Sequence, residues 1–317
     1  MPSEGLPVIF LMGPTASGKT ELALSLHDDL PVEIISADSA MVYRGMDIGT
    51  AKPDREIRSR VTHHLIDICD PAEAYSAGRF QTDARALIDV IHAQRRIPLV
   101  TGGTGLYFRA LEQGFSELPP ADPSIRERIS RLAQIEGWDA LHAQLAHVDT
   151  ESAARIHVND PQRIQRALEV FELTGKPLSE FFSLGRARPL PYRIIKILIN
   201  PQERNVIHER IAERFERMLE LGLVDEVRTL YERGDLTPVM PSIRMVGYRQ
   251  VWRYLDGKLD FGTMREHAII STRQLAKRQL TWLRSEQGAI WIDSSAADLQ
   301  QTVLKIIRHD PTFHSEV

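Results

Sequence analysis

Gly13-Pro14-Thr15-Ala16-Ser17-Gly18-Lys19-Thr20 satisfies the pattern G-x-x-x-x-G-K-[ST], the signature of a loop that grips phosphate. The spacing has a physical basis. Glycines let backbone N–H groups turn inward around phosphate oxygens, Lys19 adds a point charge, and the Thr20 hydroxyl can ligate Mg²⁺. The flanks supply the context such a loop needs. Val8 to Met12 is a short apolar run that reads as a strand, and Glu21 to Leu30 carries Leu22, Leu26 and Leu30 at helical spacing. A helix N-terminus behind the loop adds unpaired N–H groups and a favourable dipole, so the site selects an anion. The loop alone does not tell ATP from another phosphate or diphosphate compound.

Outward from the loop, Val32 to Ser36, Leu65 to Cys69 and Ile97 to Thr101 are further short apolar runs, with a helical pattern from Phe80 to Ala93. Strands alternating with helices predict an α/β fold: a P-loop NTPase-like parallel sheet core flanked by helices. From Asp122 to about Gly185 the strand signal vanishes. Ser124 to Gln134, Trp138 to Leu145 and Pro161 to Thr174 read as helices, so residues 121–189 are expected to form a mostly helical insertion domain. Arg193 to Ile199 returns as a strand, Glu203 to Leu221 is a long helix, helices continue to Leu283, and Ala289 to Ile292 is a last strand. The catalytic core is therefore expected to be discontinuous, residues 1–120 with 190–317.

Composition excludes several classes. Of 317 residues, 43% are hydrophobic and 26% charged, as in ordinary soluble globular proteins. No apolar run approaches the ~20 residues of a membrane span, and Met1 to Pro7 lacks the basic and apolar regions of a leader, so no membrane association and a cytoplasmic location are expected. The single cysteine, Cys69, excludes an internal disulfide and a multi-cysteine metal cage, and reads as a core residue. A net charge of −4 means that any polyanion must bind a local patch. Two acid-free windows supply one: Thr237 to Leu255 contains Arg244, Arg249 and Arg253, and His267 to Arg284 contains Arg273, Lys277, Arg278 and Arg284. Tyr248, Trp252 and Trp282 lie among these cations and are candidates for stacking on nucleotides, the mode by which single strands are read.

Asp38 follows the strand Val32 to Ser36, and ligands of open α/β sheets bind at the carboxyl ends of strands, so Asp38 is expected to face the phosphates. An acid there can bind Mg²⁺, orient a substrate or accept a proton. The stretch Asp38 to Pro53 (DSAMVYRGMDIGTAKP), together with Gly13 to Thr20, resembles the tRNA dimethylallyltransferases, which prenylate the adenosine 3′ of the anticodon. The resemblance covers nearly the whole chain. It continues through His63 to Asp67, Tyr75 to Ala77, Thr101 to Tyr107, Asn159 to Glu169 (NDPQRIQRALE), Ser242 to Arg249 (SIRMVGYR) and Gln274 to Arg284 (QLAKRQLTWLR). One departure stands out: relatives often carry glutamine three residues after the aspartate, where this chain has Met41.

The resemblance implies that Gly13 to Thr20 hold the diphosphate of dimethylallyl diphosphate, with Lys19 and a Mg²⁺ cofactor at Thr20 stabilising it as it leaves, that Arg214 reaches the diphosphate, and that Thr101 lies near the transferring group; Lys19, Thr20, Thr101, Arg214 and Asp38 are the expected catalytic residues. Asp38 is the implied base for the proton of the attacking N6 amine. The implied tRNA surface comprises Asp38, Ser39, Ala40 and Met41; Gln162, Arg163, Ile164, Gln165 and Arg166; Arg244, Gly247, Tyr248 and Arg249; and Lys277, Arg278, Trp282 and Arg284. Its partner is the anticodon stem-loop, and the chain is expected to act as a monomer. His63 and His64 are weaker candidates, more simply read as packed beside a strand. Two rivals share the loop: an ATP-dependent small-molecule or nucleoside kinase, and a nucleotide-switched RNA-binding module without chemistry.

Overall fold

A computed structural model describes residues 7–114, 118–183 and 189–313. The chain divides into two compact units at Leu111/Glu112 and Pro189/Leu190. The first begins with β1 (Val8–Met12), α1 (Lys19–Asp29), β2 (Val32–Ser36), α2 (Arg55–Arg60), β3 (His63–His64), α3 (Ala77–Ala93) and β4 (Ile97–Gly102), and with α4 (Gly105–Gln113) reaches the boundary. The second holds α5 (Pro123–Glu136), α6 (Trp138–Val148), α7 (Thr150–Arg155), α8 (Pro161–Thr174) and α9 (Leu178–Ser183). The first unit resumes with β5 (Ile194–Asn200), α10 (Arg204–Glu220), α11 (Leu223–Glu232), α12 (Tyr248–Leu255), α13 (Phe261–Leu283), β6 (Ile290–Asp293) and α14 (Leu299–Arg308).

The six strands form one parallel sheet in the order β3-β2-β4-β1-β5-β6. Parallel strands covered by helices on both faces must be apolar throughout, and all five residues of β1 are buried. Alternate residues feed two cores: Val8, Phe10 and Met12 pack with α3 and α4, whereas Ile9 and Leu11 pack with α1 and α14. Each such apolar side chain contributes about 1.5–3 kcal/mol on burial. The register sets Met12 beside Gly102 and Ser36 beside Thr101, so β1, β2 and β4 end at one level. Because β1 and β2 flank β4 rather than each other, their connections part at this edge. That divergence opens the crevice in which ligands of such sheets bind.

One predicted strand is absent. Leu65 to Cys69 is apolar enough, but Leu65 and Asp67 adopt positive φ of 61° and 57°, which turns the chain. The strand contracts to His63–His64, and Cys69 makes only an isolated bridge to Tyr43. Asp67 is held there by Lys52 at 2.5 Å and by Arg58, and a charged cross-link replaces the ladder. Cys69 is fully buried, as its apolar surroundings suggest.

The second unit has only helices as regular elements among its described residues and begins at Glu112, nine residues before the position read from the sequence; residues 184–188, near its predicted end, lie outside those described. Its core combines Leu141, Leu145, Ile164 and Val170 with a fully buried carboxylate, Glu169. Burial raises the Glu169 pKa, but donation from Arg126 at 2.9 and 3.1 Å, from Arg166 at 2.7 Å and from the Asp122 N–H at 2.8 Å outweighs it and lowers the net value. A buried charge persists only when paired and hydrogen-bonded in this way.

Candidate active site and nucleic-acid face

The phosphate loop leaves β1 and enters α1 at Gly18, whose φ of 92° needs a residue without Cβ. Gly13 is required for a different reason: a Cβ there meets the Ile199 carbonyl oxygen at 2.5 Å and the Ser17 Oγ at 2.6 Å. Lys19 Nζ donates to the Pro14 carbonyl at 2.6 Å and to Ser17 Oγ at 3.4 Å, so the ammonium stands inside the curve of the loop. Desolvation lowers its pKa to about 8, with Asp38 opposing the shift and Arg214 adding to it. Desolvation also lowers Arg214, again against Asp38 and Glu21. Two partly desolvated cations and one carboxylate are thus gathered where β1 and β2 end, a field suited to a diphosphate.

Asp38 sits just beyond β2, and its Oδ1 accepts from the Ala40 N–H at 2.8 Å. That bond fixes the carboxylate at the start of the turn carrying Ser39, Ala40 and Met41, all half-buried. Ser39 is tied to β4's loop, its N–H donating to Thr104 Oγ1 at 3.1 Å. Thr101, next to last in β4, has its hydroxyl buried and without a hydrogen-bond partner among the described residues. Buried hydroxyls rarely go unpaired, so this one is placed to meet a group that arrives from outside the chain. Met41 Sδ takes the Ser36 hydroxyl at 3.8 Å, which turns the side chain toward the sheet.

Three residues central to the geometry were missed by sequence reading. Gln279 on α13 accepts from the Thr15 N–H at 2.8 Å through Oε1 and donates to the Gly103 carbonyl at 3.0 Å through Nε2, clamping the phosphate loop to the loop after β4. Glu226 on α11 accepts from the N–H groups of Asp47, Ile48 and Gly49 at 2.8, 2.7 and 3.1 Å and from the Tyr248 hydroxyl at 2.6 Å. The loop it holds ends at Thr50, whose carbonyl accepts from Arg214 at 3.4 Å. Thr104 is the third, through Ser39. A polar residue on an otherwise apolar helical stripe was the available signal for Gln279; nothing local marked Glu226.

The glycines of Thr101 to Tyr107 are demanded by close packing. A Cβ on Gly102 meets the Ala37 carbonyl oxygen at 2.2 Å, one on Gly103 meets Gln279 Nε2 at 2.3 Å, and one on Gly105 meets the Trp282 ring at 2.1 Å.

The expected nucleic-acid residues divide sharply. Arg244, Arg249, Lys277, Arg278 and Arg284 are exposed and have no ion-pair partner among the described residues, as does Arg253. Gln162 and Arg163 are exposed on α8, with Arg163 paired to Asp160 at 2.9 Å. Several others face inward. Tyr248 is fully buried and Trp252 is only 4% exposed, so neither ring offers a stacking face. They occupy the apolar side of α12, opposite Arg249 and Arg253, as i, i+4 spacing dictates. Trp282 is half-buried against Gly105, with its ring stacked 6.4 Å from Phe108. Ile164 is a core residue of the helical unit, Gln165 donates to the Arg126 carbonyl and Ser130, and Arg166 to Glu169 and the Pro119 carbonyl. Gly247 is buried with φ of 91° and donates its N–H to Gln250 at 3.0 Å. His64 pairs with Glu33 at 2.7 Å, and His63 meets the Val61 carbonyl at 2.7 Å, so both serve packing at β3.

No helix of the described residues is long and apolar enough to cross a membrane. None of the described His, Cys, Asp and Glu residues cluster in threes fit to hold a metal. Residues 41–286 match the family model described as IPP transferase. The chain is 59% identical over 303 residues to a tRNA dimethylallyltransferase of Thioalkalivibrio sulfidiphilus, covering 96% of this chain and 95% of that one. Among solved structures it is similar to a full-length tRNA isopentenylpyrophosphate transferase from Bacillus halodurans, with a TM-score of 0.69, 36% identity, and 95% and 97% of the two chains covered. It is also similar to a eukaryotic dimethylallyltransferase captured acting on tRNA, with a TM-score of 0.80, 27% identity, and 95% and 78% covered.

Proposed function

The chain belongs to the IPP transferase family, and on that premise we propose that it transfers a dimethylallyl group from dimethylallyl diphosphate to N6 of the adenosine 3′ of the anticodon in tRNA, releasing diphosphate. One observation carries this reading beyond the family. Asp38 interacts electrostatically with both Lys19 and Arg214 beside the Thr101 hydroxyl, which has no hydrogen-bond partner among the described residues, so a base and an anion grip share one crevice.

The chemistry follows from the charges. The N6 lone pair attacks the allylic carbon as the carbon–oxygen bond to the diphosphate breaks. The amine proton becomes acidic as the new bond forms, and Asp38 accepts it. Negative charge gathers on the leaving diphosphate, where Lys19, Arg214 and the loop N–H groups stabilise it. Mg²⁺ would be held by the Thr20 hydroxyl, and the small number of protein ligands this ion usually takes at phosphate sites needs no carboxylate cage. When bound it neutralises charge on the diphosphate. The exposed cations Arg244, Arg249, Lys277, Arg278 and Arg284 receive the anticodon stem-loop, and Gln162 and Arg163 of the helical unit add contacts. The adenine must leave its stack to meet Asp38. We further propose that the enzyme works as a monomer in the cytoplasm.

The test is mass spectrometry of tRNA nucleosides after incubation with dimethylallyl diphosphate and unmodified tRNA. A mass gain of one dimethylallyl group on adenosine is expected. Consumption of ATP with phosphoryl transfer and no prenylated adenosine would instead make the chain a kinase.

A further inference from the structure

Outside the crevice, the helices α12 and α13 enclose a cleft of about 260 Å³ lined by Arg249, Gln250, Arg253, His267, Ile270 and Ser271. No carboxylate is among these lining residues. Arg249 and Arg253 stand one turn apart on the exposed face of α12, and neither has an ion-pair partner among the described residues. Like charges one helical turn apart repel, and an anion between them reverses the sign of that interaction. The floor is rigid: Gln250 donates to Ser271 Oγ at 2.9 Å while accepting from the Gly247 N–H at 3.0 Å, which ties the two helices together beneath the cations. His267 adds a ring N–H in either of its protonation states.

The cleft is also continuous with an exposed stripe. His267, Ile270, Gln274, Lys277 and Arg278 recur along one side of α13 and are all exposed, whereas Met264, Ala268, Ala276 and Leu283 form the buried side. From His267 to Lys277 the helix advances about 15 Å, so the track spans more than one nucleotide step. Glu266 is the one carboxylate in the sequence of this helix, and it does not line the cleft.

We propose that this cleft binds a phosphodiester of the RNA substrate, holding the backbone at a point remote from the reacting base through Arg253 and His267 together with Arg249. The inference rests on the RNA-modifying reading above for the identity of the RNA, but its readout is RNA affinity rather than prenyl transfer. A chain that bound RNA through the cleft and prenylated nothing would therefore sink the functional reading alone.

The test is the double variant Arg253→Gln with His267→Gln, and the charge-retaining Arg253→Lys, in the full chain. Binding of an anticodon stem-loop RNA is measured between about 50 and 200 mM salt, where each phosphate that is no longer neutralised lowers the slope of log affinity against log salt by about 0.7–0.9. The double variant is expected to flatten the slope by about one and to lower kcat/KM for tRNA about tenfold, with the change residing in KM; Arg253→Lys is expected to keep the slope. An unchanged slope, or a loss confined to kcat, overturns the proposal. So does saturable binding of inorganic phosphate that the double variant abolishes while RNA affinity stays intact, because the cleft would then take a free anion.

Discussion

Replacing Gln279 with alanine removes the clamp between the phosphate loop and the loop after β4 while leaving every proposed substrate contact in place. Two backbone groups lose their partners, the Thr15 N–H and the Gly103 carbonyl. An unsatisfied buried polar group costs about 1–3 kcal/mol. Both sites are only partly buried, so water recovers much of that, and about 1 kcal/mol each is the appropriate scale. The combined loss of about 2 kcal/mol corresponds to about 30-fold in an equilibrium constant. Because the freed segment is the proposed diphosphate cradle, the loss should appear as a rise of about 10- to 30-fold in KM for dimethylallyl diphosphate, with KM for tRNA altered less than about threefold. Steady-state transfer of labelled prenyl groups, with each substrate varied in turn, reads the split. Gln279→Glu is the sharper variant. It keeps the acceptor for Thr15, loses the donor to Gly103 and sets a negative charge beside a bound diphosphate, so it should be worse than alanine. A Gln279→Ala enzyme within twofold of the parent in KM for the diphosphate, or one affected equally for both substrates, refutes the clamp.

Asp38→Asn keeps the size and an acceptor for the Ala40 N–H but cannot take a proton, and should lower kcat by about 10²- to 10⁴-fold with tRNA affinity retained; equal loss of both would give Asp38 a binding role. Lys19, lowered to about pKa 8, predicts that kcat/KM for the diphosphate falls as pH rises through about 8, a limb that Lys19→Arg should displace upward. The same group sets a stability trend. Its folded pKa lies below the unfolded value of 10.5, so the cost of burying the cation is fully present below about pH 8 and is relieved as pH rises toward 10.5. Glu226→Ala strips the acceptor from three N–H groups and from the Tyr248 hydroxyl. It should destabilise the protein by about 3 kcal/mol in denaturant titration, with Glu226→Gln recovering part of it.

Much of this molecule was legible without coordinates because the signals are local. The phosphate loop lies between a strand and a helix within about twenty residues, and the apolar runs that became β1, β2, β4, β5 and β6 were bounded by turn residues. The failed strand at Leu65 to Cys69 had the right composition; two residues of positive φ and a Lys52–Asp67–Arg58 cross-link overrode it. Two of the three expected stacking aromatics, Tyr248 and Trp252, are buried for a reason the sequence did contain. Tyr248, Val251 and Trp252 share one face of a short helix and Arg249 and Arg253 the other, so the rings had to be core if the arginines were wet.

What the sequence determined by itself is therefore the strand-loop-helix that carries the proposed anion grip, the parallel sheet and the position of Asp38 at a strand's end, since each depends on neighbours a few residues away. What only the tertiary structure decided is which side chains complete the crevice. Gln279 meets Thr15 across 264 residues of chain, and Glu226 meets Asp47 across 179. Arg214 reaches the same field from α10. No periodicity or spacing encodes such pairs, because they exist only after the sheet has assembled and the helices have packed upon it.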